Sequence, residues 1–242
     1  MTGVFISKII PVAAELLKLG VFKNVAVREQ ERGNGKFSYE NAPVEAFAFY
    51  NRSSKNKDVQ VLHVYFFGTP ENLQVIGYTS NCPALSQGTN IEYVLKHNAT
   101  KIGEVVIHYE QLQEVLESWI LAAQKIFYIK SNKQVHSQFD DTVKFLTDSY
   151  GSRFYTLDMM SIHFSTHLPT VHVICETGWG SDYHFTQTKD KQNIRMVVDI
   201  DPREVGEDEN KTYRDLKPIK NNFTETLEEF FLDNDFITEK AE

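Results

Sequence analysis

The sequence predicts an α+β fold: a mostly antiparallel β-sheet or sandwich with an N-terminal helix and two helices inserted in the middle. Alternating apolar strands fill the first third, two helical apolar stripes fill the middle, and alternating strands return afterwards. A chain of 242 residues can bury one large core without disulfides or metal. No Pro- or Gly-rich linker interrupts residues 1–242, so we expect a single domain, with a helix at 1–20 and an acidic segment at 203–242.

The N-terminal segment has the pattern of an amphipathic helix. Pro11 suits a first turn, and Gly20 suits the position that follows the last helical residue. Because an isolated helix of about a dozen residues is marginal in water, its apolar face must be buried, either on the same chain or as an arm on a neighbouring molecule. That face is made of Ile9, Val12, Ala13 and Leu16.

The residues after this helix indicate β-structure. The stretch 44–50 is apolar on both faces, as in a strand covered on both sides, and 31–35 is a polar break. A turn at 69–72 joins two further alternating runs. The strands predicted in this third lie at 22–27, 44–50, 59–68 and 73–78.

The middle third is predicted to be helical. A helix at 110–126 carries an apolar stripe that includes Trp119, and a helix at 136–150 repeats the pattern. Strands are then predicted at 154–163, 170–176, 183–188 and 193–200. Asp201-Pro202 is expected to end the last strand, the stretch 203–222 after it is polar, and a short helix is expected at 225–236.

The charge distribution argues against nucleic acid as a partner. Residues 200–242 carry 13 acidic and 6 basic side chains, whereas the first 199 residues carry 20 acidic and 19 basic ones. The body is therefore nearly neutral, and no basic patch is present that could displace counterions from phosphates.

The sequence predicts a cytoplasmic protein without a membrane partner. Lys8, Glu15 and Lys18 interrupt the apolar residues at the N-terminus, which a secretory signal or a spanning helix would not tolerate. The two cysteines, Cys82 and Cys175, lie in unlike contexts and cannot form a disulfide framework or a zinc site alone. We expect no cofactor and no metal.

Four histidines fall in 22 residues: His163, His167, His172 and His184, with Cys175 and Asp182 nearby. His163 and His167 share a strand face but would lie roughly 13 Å apart, too far for one ion. Adjacent antiparallel strands could still bring His172 and His184 together. Ordinary strand histidines are the preferred interpretation, ahead of a metal or acid–base site.

Two other functions stay open as alternatives. Cys175 with His172 or His184 could form a thiolate–imidazole pair, which would make the protein a small metal- or Cys/His-dependent hydrolase that uses the His163–His184 cluster. However, 171–175 has the pattern of a buried strand, where a thiol is usually inert. The second alternative is a regulatory module that binds a basic partner through its acidic tail.

The two tryptophans have different contexts. Trp119 lies in the apolar stripe of a predicted helix and is expected in the core. Trp179 lies between two glycines in a predicted turn, where a large ring suits either loop packing or an interface. We therefore include Trp179, together with the apolar face of the N-terminal helix, among the candidate assembly contacts.

Two stretches resemble cypovirus polyhedrins, the viral proteins that crystallise inside cells as occlusion bodies. The first is the run Arg28-Glu-Gln30, followed by a polar stretch bearing Tyr and Asn and the aromatic strand 44–50. The second is Gly180-Ser-Asp-Tyr-His-Phe185, followed by Ile194 and Val198. The resemblance implies a β-sandwich with helices, no catalysis, and lattice contacts made partly by the N-terminal helix. Some members of this family hold nucleotides.

The sequence and the resemblance together favour a non-enzymatic, self-assembling structural protein. Its expected partner is a second copy of itself, in a homo-oligomer or a lattice.

Overall fold

The structure is a computed structural model, which describes residues 2–28, 38–39, 42–43, 45–52, 59–82, 91–96, 98–150, 159–176, 181–199 and 212–240. The helices within these residues are α1 (Thr2–Leu17), α2 (Ile91–Leu95), α3 (Leu112–Ile126), α4 (Phe139–Ser149) and α5 (Phe223–Asp233). A short 3₁₀ turn, Tyr109–Gln111, leads into α3.

Ten strands form one antiparallel sheet. They are β1 (Asn24–Arg28), β4 (Glu45–Arg52), β5 (Val59–Thr69), β6 (Asn72–Cys82), β7 (Thr100–Ile107), β8 (Met159–Ser165), β9 (Thr170–Glu176), β10 (Ser181–Gln187), β11 (Asn193–Asp199) and β12 (Thr212–Pro218). Their order across the sheet is β12-β11-β10-β9-β8-β1-β4-β5-β6-β7. A separate two-stranded hairpin contains β2 (Ser38–Tyr39) and β3 (Ala42–Pro43).

One face of the large sheet packs on α1, α3, α4 and α5, and we call it the helix face. Alternate strand residues such as Phe47, Phe66 and Phe185 join the helices in one continuous apolar core. The rings of Phe47 and Phe66 meet edge to face with centroids 5.3 Å apart. The strand residues between these point away from the helices and form the opposite face of the sheet. A smaller apolar cluster there surrounds Ala26 and Ala48.

The α+β class with a mostly antiparallel sheet is confirmed, and so are the N-terminal helix and the two helices in the middle. The alternation at 59–68 and 73–78 corresponds to β5 and β6, which are joined by a tight turn at the predicted place. The predictions at 31–35 and 154–158 lie outside the described residues.

Three sequence predictions need correction. Pro11 is inside α1 rather than in its first turn, because the helix begins at Thr2, well before the apolar stripe; its side chain is on the exposed side of the helix. The polar stretch 203–222 contains a strand, β12. The strand β7 was not predicted, since Gly103 and two charged residues interrupt its alternation.

Trp119 lies in the core, as predicted, and it fixes the contact between α3 and the sheet edge. Its indole covers the cross-strand pair Gly77 and Gly103. A Cβ atom at Gly77 would come within 2.6 Å of this ring, and one at Gly103 within 2.8 Å. The two glycines are therefore required for the indole to approach the backbone.

The described elements repeat one architecture twice. Each half has a helix, a five-stranded antiparallel meander and a final helix: α1, β1, β4 to β7 and α3, then α4, β8 to β12 and α5. The first strands of the two halves, β1 and β8, pair antiparallel with Ala26 opposite His163. Helices α1 and α4 pack against each other over this seam. The halves are thus related by an approximate two-fold axis.

None of the described helices reaches the length and apolarity that crossing a bilayer requires.

Candidate functional site: a histidine pocket on the opposite face

The pairing of neighbouring strands places three histidines, one on each strand, in a single row across the sheet. His163 on β8 pairs with His172 on β9, and His172 pairs with His184 on β10. On the other side of the seam, the same row continues through Ala26 and Ala48. Residues directly opposite each other on antiparallel strands have Cβ atoms about 4.5–5.5 Å apart, so the three imidazoles are held as neighbours by the backbone.

The imidazoles stack face to face, and we call His163, His172 and His184 the histidine stack. The rings of His172 and His184 have centroids 3.8 Å apart and an interplanar angle of 23°. Those of His163 and His172 are 4.7 Å apart and tilted by 34°. A metal ion is bound by lone pairs in the ring plane, which stacked rings direct side by side rather than toward one point. Across the described ranges, no group of three or more His, Cys, Asp or Glu side chains is arranged to hold a metal ion.

Tyr50 connects the histidine stack to the first half of the chain. Its hydroxyl is 3.4 Å from Nδ1 of His163, and the two rings meet at 72°. Burial raises the pKa of Tyr50, although the charges of Arg52 and Arg28 oppose this shift. The phenol therefore stays protonated at neutral pH and is a neutral hydrogen-bonding group beside the imidazole.

Two ring nitrogens of the stack have no partner among the described residues. Nε2 of His163 and Nε2 of His172 are buried without a hydrogen bond in the described part of the chain. The His163 side chain as a whole is only 7% exposed. An unsatisfied buried polar group costs on the order of 1–3 kcal/mol, so these two atoms mark a place where a hydrogen-bonding ligand would be stabilised.

Burial keeps His163 and His172 neutral. It lowers the pKa of His172 to about 3, with further lowering by the charges of His184, Arg52 and Arg28. The pKa of His163 lies well below 6.5 for the same main reason, with His172 and the two arginines also contributing. At neutral pH both rings are uncharged, and each has one N–H donor and one acceptor nitrogen.

A pocket of about 220 Å³ opens beside the stack. Since liquid water occupies roughly 30 Å³ per molecule, this volume suits a small ligand of a few non-hydrogen atoms. We call it the histidine pocket; its lining consists of Asn24, Tyr50, Arg52, His163, Phe164, Ser165, Leu168, Thr170, His172 and His184. It therefore spans the seam, with residues from both halves of the chain.

The outermost histidine of the row is part of a separate pair. His63 on β5 lies opposite Ala48, and its Nε2 is 2.6 Å from the Ser80 hydroxyl, with both side chains fully or almost fully buried. A buried pair that satisfies its hydrogen bond is a structural feature of the opposite face.

The structure groups the predicted site residues only in part. His163, His172 and His184 come together as a stack, whereas His167 follows the end of β8 and is not among the lining residues of the pocket. Cys175 is three positions after His172 on β9, an odd separation, so the two positions fall on opposite faces of that strand. This arrangement does not favour a thiolate–imidazole pair between them.

The candidate assembly contacts have a different environment from the one expected for a free arm. Ile9, Ala13 and Leu16 are buried in the core of the same chain, and Val12 is partly buried against it. They can meet a second copy only if α1 leaves the body. Trp179 lies outside the described residues.

The polar partners of the stack were not recognised in the sequence. Asn24, Tyr50 and Arg52 precede the histidines by more than a hundred positions, and strand pairing alone brings them to the pocket. Finding them would have required knowing which distant strands pair and in what register. The periodicity of a sequence does not specify this.

A second concave region lies beside the C-terminal helix. This acidic groove, of about 620 Å³, lies between α4, α5 and the segment that follows α5. Its charged lining residues are Asp141, Lys144, Asp148, Glu225, Glu228, Glu239 and Lys240. If the acidic C-terminal segment binds a basic partner, this groove is where the partner would lie.

No known family model, curated protein or solved structure matches this chain. What the protein does must therefore follow from the chemistry of its own residues.

Proposed function

We propose that this protein is a non-enzymatic binding protein that holds a small polar ligand in the histidine pocket. The observation that carries this proposal is a pocket lined by polar groups from both halves of the chain, beside the buried Nε2 atoms of His163 and His172, which have no hydrogen-bond partner among the described residues. A ligand that hydrogen-bonds to them would remove the cost of leaving them unsatisfied.

The surroundings of the pocket support binding with a defined orientation. The neutral imidazoles of His163 and His172, the Tyr50 phenol and the hydroxyls of Ser165 and Thr170 offer both donors and acceptors along its wall. A rigid ten-stranded sheet positions these groups, so little ordering is required when a ligand enters.

A fragment screen by ligand-observed NMR tests the proposal. Small polar fragments, neutral and charged, should bind the intact protein, and Thr170→Trp should abolish binding because its indole would fill the pocket. Ser118→Trp, on the exposed side of α3, is the matched control and should bind as the unmodified protein does. If no fragment binds the unmodified protein, or if Thr170→Trp binds equally well, the proposal is wrong.

A second candidate function, self-assembly into a polyhedrin-like matrix, is favoured by the two ends of the sheet. Within the described strands, β7 and β12 each have a hydrogen-bonded neighbour on one side only. On β12, Tyr213 and Leu216 are 53% and 56% exposed. An open edge of this kind can pair with the edge of a second copy, although the charged side chains of β12 and Pro218 oppose such pairing.

Light scattering with size-exclusion chromatography tests self-assembly. If copies pair through β12, Leu216→Lys should disperse the assembly, because it puts a charge in the new interface. Ile126→Lys, at an exposed residue of α3, should leave the assembly intact. A protein that is monomeric at every concentration would contradict self-assembly and leave the binding proposal unaffected.

A further inference from the structure

The described charges around the histidine pocket are positive. Arg52 lines the pocket, with its guanidinium carbon 5.7 Å from the centroid of the Tyr50 ring. The charges of Arg52 and Arg28 both contribute to lowering the pKa values of His163 and His172, so both arginines act on the stack. The described lining residues include no carboxylate. A negatively charged ligand would complement this field.

The hydrogen-bonding groups point to the same class of ligand. When the Tyr50 hydroxyl donates to Nδ1 of His163, the ring proton of His163 resides on Nε2, the buried atom that has no partner among the described residues. The hydroxyls of Ser165 and Thr170 are further donors along the wall. A group with several acceptor oxygens, rather than a donor-rich group, satisfies this set.

We infer that the histidine pocket binds a small oxyanion, of the sulfate, phosphate or carboxylate type, between the Arg52 guanidinium and the imidazoles of His163 and His172. This inference rests on the proposed function, since it names the ligand class of that same pocket. Arg52 supplies the charge-assisted contact, and the imidazoles supply neutral donors on the buried side.

The other titratable positions on this face lie either further across the sheet or further along the strands. His63 on β5 and Arg214 on β12 are in the histidine row, with Arg214 opposite Val197, and Arg195 is two residues from Val197 on β11; both arginines are exposed. Asp182 and Asp199, the acidic positions on β10 and β11, pair with each other two residues along from His184 and Val197. Arg195 does not line the pocket, so it serves as a matched control for Arg52.

Binding of an anion should be coupled to proton uptake. The low pKa of His172 results from burial first and from nearby positive charge second, and an anion opposes the second cause directly. The pKa of His172 should therefore be higher in the complex than in the free protein. By linkage, affinity for an anion of constant charge should increase as the pH falls.

Calorimetric titration with sodium sulfate tests the inference, because sulfate keeps its charge throughout the working pH range. Dimethyl sulfone is the neutral control of similar shape. Sulfate should bind and the sulfone should not, and the affinity should rise as the pH falls from neutral toward the pKa of His172, which is about 3 in the free protein. Arg52→Gln should weaken binding roughly tenfold, the effect of losing one charge-assisted contact, whereas Arg195→Gln should change it less than about twofold.

Phosphate and acetate then distinguish the oxyanion types within the class. Equal weakening by Arg52→Gln and Arg195→Gln would overturn the inference in favour of nonspecific charge attraction. A sulfate affinity that does not rise as the pH approaches the pKa of His172 would overturn the coupling of anion binding to proton uptake. If neutral fragments bind the pocket and none of the three anions does, the oxyanion inference is wrong while the proposed function stands. If nothing binds, both are wrong.

Discussion

At the residue scale, the histidine stack makes the stability of the fold depend on pH. The pKa of His172 is about 3 in the folded protein, against an ordinary value of 6.5, so between these pH values the unfolded chain binds more protons than the folded chain. The contribution of His172 to stability is therefore complete above pH 6.5 and is lost progressively as the pH falls toward 3. The buried His163 acts in the same direction.

We expect the free energy of unfolding to fall by up to about 1.4 kcal/mol per pH unit for each such imidazole as the pH drops below about 6.5. Chemical denaturation at several pH values, with and without His172→Gln, measures this slope. The variant should have a shallower pH dependence, because it removes one of the groups that the unfolded state protonates. Thr186→Ala, on the same face but outside the pocket, should leave the slope unchanged; an equal slope in all three proteins would contradict the prediction.

Also at the residue scale, Gly103→Ala should destabilise the fold by about 1–3 kcal/mol, because its Cβ would lie 2.8 Å from the indole of Trp119. Trp119→Leu alone should be destabilising through the cavity it leaves. In the double variant the smaller Leu side chain leaves room for the new methyl group. The loss of unfolding free energy in the double variant should therefore be smaller than the sum of the losses in the two single variants. Thermal or chemical denaturation of the four proteins measures this coupling, and strict additivity would show that the indole does not need the glycine.

At the scale of elements, α1 is part of the body of its own chain. Leu17 is fully buried in the core, whereas Glu15 is exposed and pairs with Lys18 on the surface. Leu17→Ala should cost about 2–5 kcal/mol of unfolding free energy, because it leaves a cavity. Glu15→Ala should cost less than about 1 kcal/mol, since exposed ion pairs contribute little. If α1 were only an intermolecular arm, Leu17→Ala would weaken assembly and leave the unfolding free energy unchanged.

The elements also show what the sequence could and could not predict. The amphipathic stripes of α3 and α4 predicted those helices well, because each has one clearly buried side. The strand β5 was predicted by its run of apolar residues, which is buried on both faces of the sheet. The strand β12 was missed because it is an edge strand whose residues are mostly exposed and polar, so it carries no apolar alternation.

The candidate site could be predicted only in part for a different reason. His172 and His184 are close in sequence, and antiparallel pairing of neighbouring strands was enough to place them side by side. Tyr50 and Arg52 reach the pocket only through the pairing of β1 with both β4 and β8. That pairing is set by the packing of the whole core rather than by any local pattern.

At the scale of the whole molecule, the approximate two-fold axis leaves the site asymmetric. The positions of His163 and His172 in the second half correspond to Ala26 and Ala48 in the first, so only one side of the seam bears the stacked imidazoles. The first half contributes Asn24, Tyr50 and Arg52 to the pocket. A ligand in the pocket would contact both halves and would hold them together.

The same seam has a consequence for the order of folding. Within each half, most strands pair with their neighbours along the chain and can form early, whereas β1 with β8 and α1 with α4 must close over a long loop. Joining of the halves should therefore be the late step of refolding. In stopped-flow experiments, Ile162→Ala at the seam should mainly accelerate unfolding, whereas Val75→Ala within the first meander should slow an earlier phase. A chain that folds in one phase, slowed equally by both changes, would instead form its two halves together.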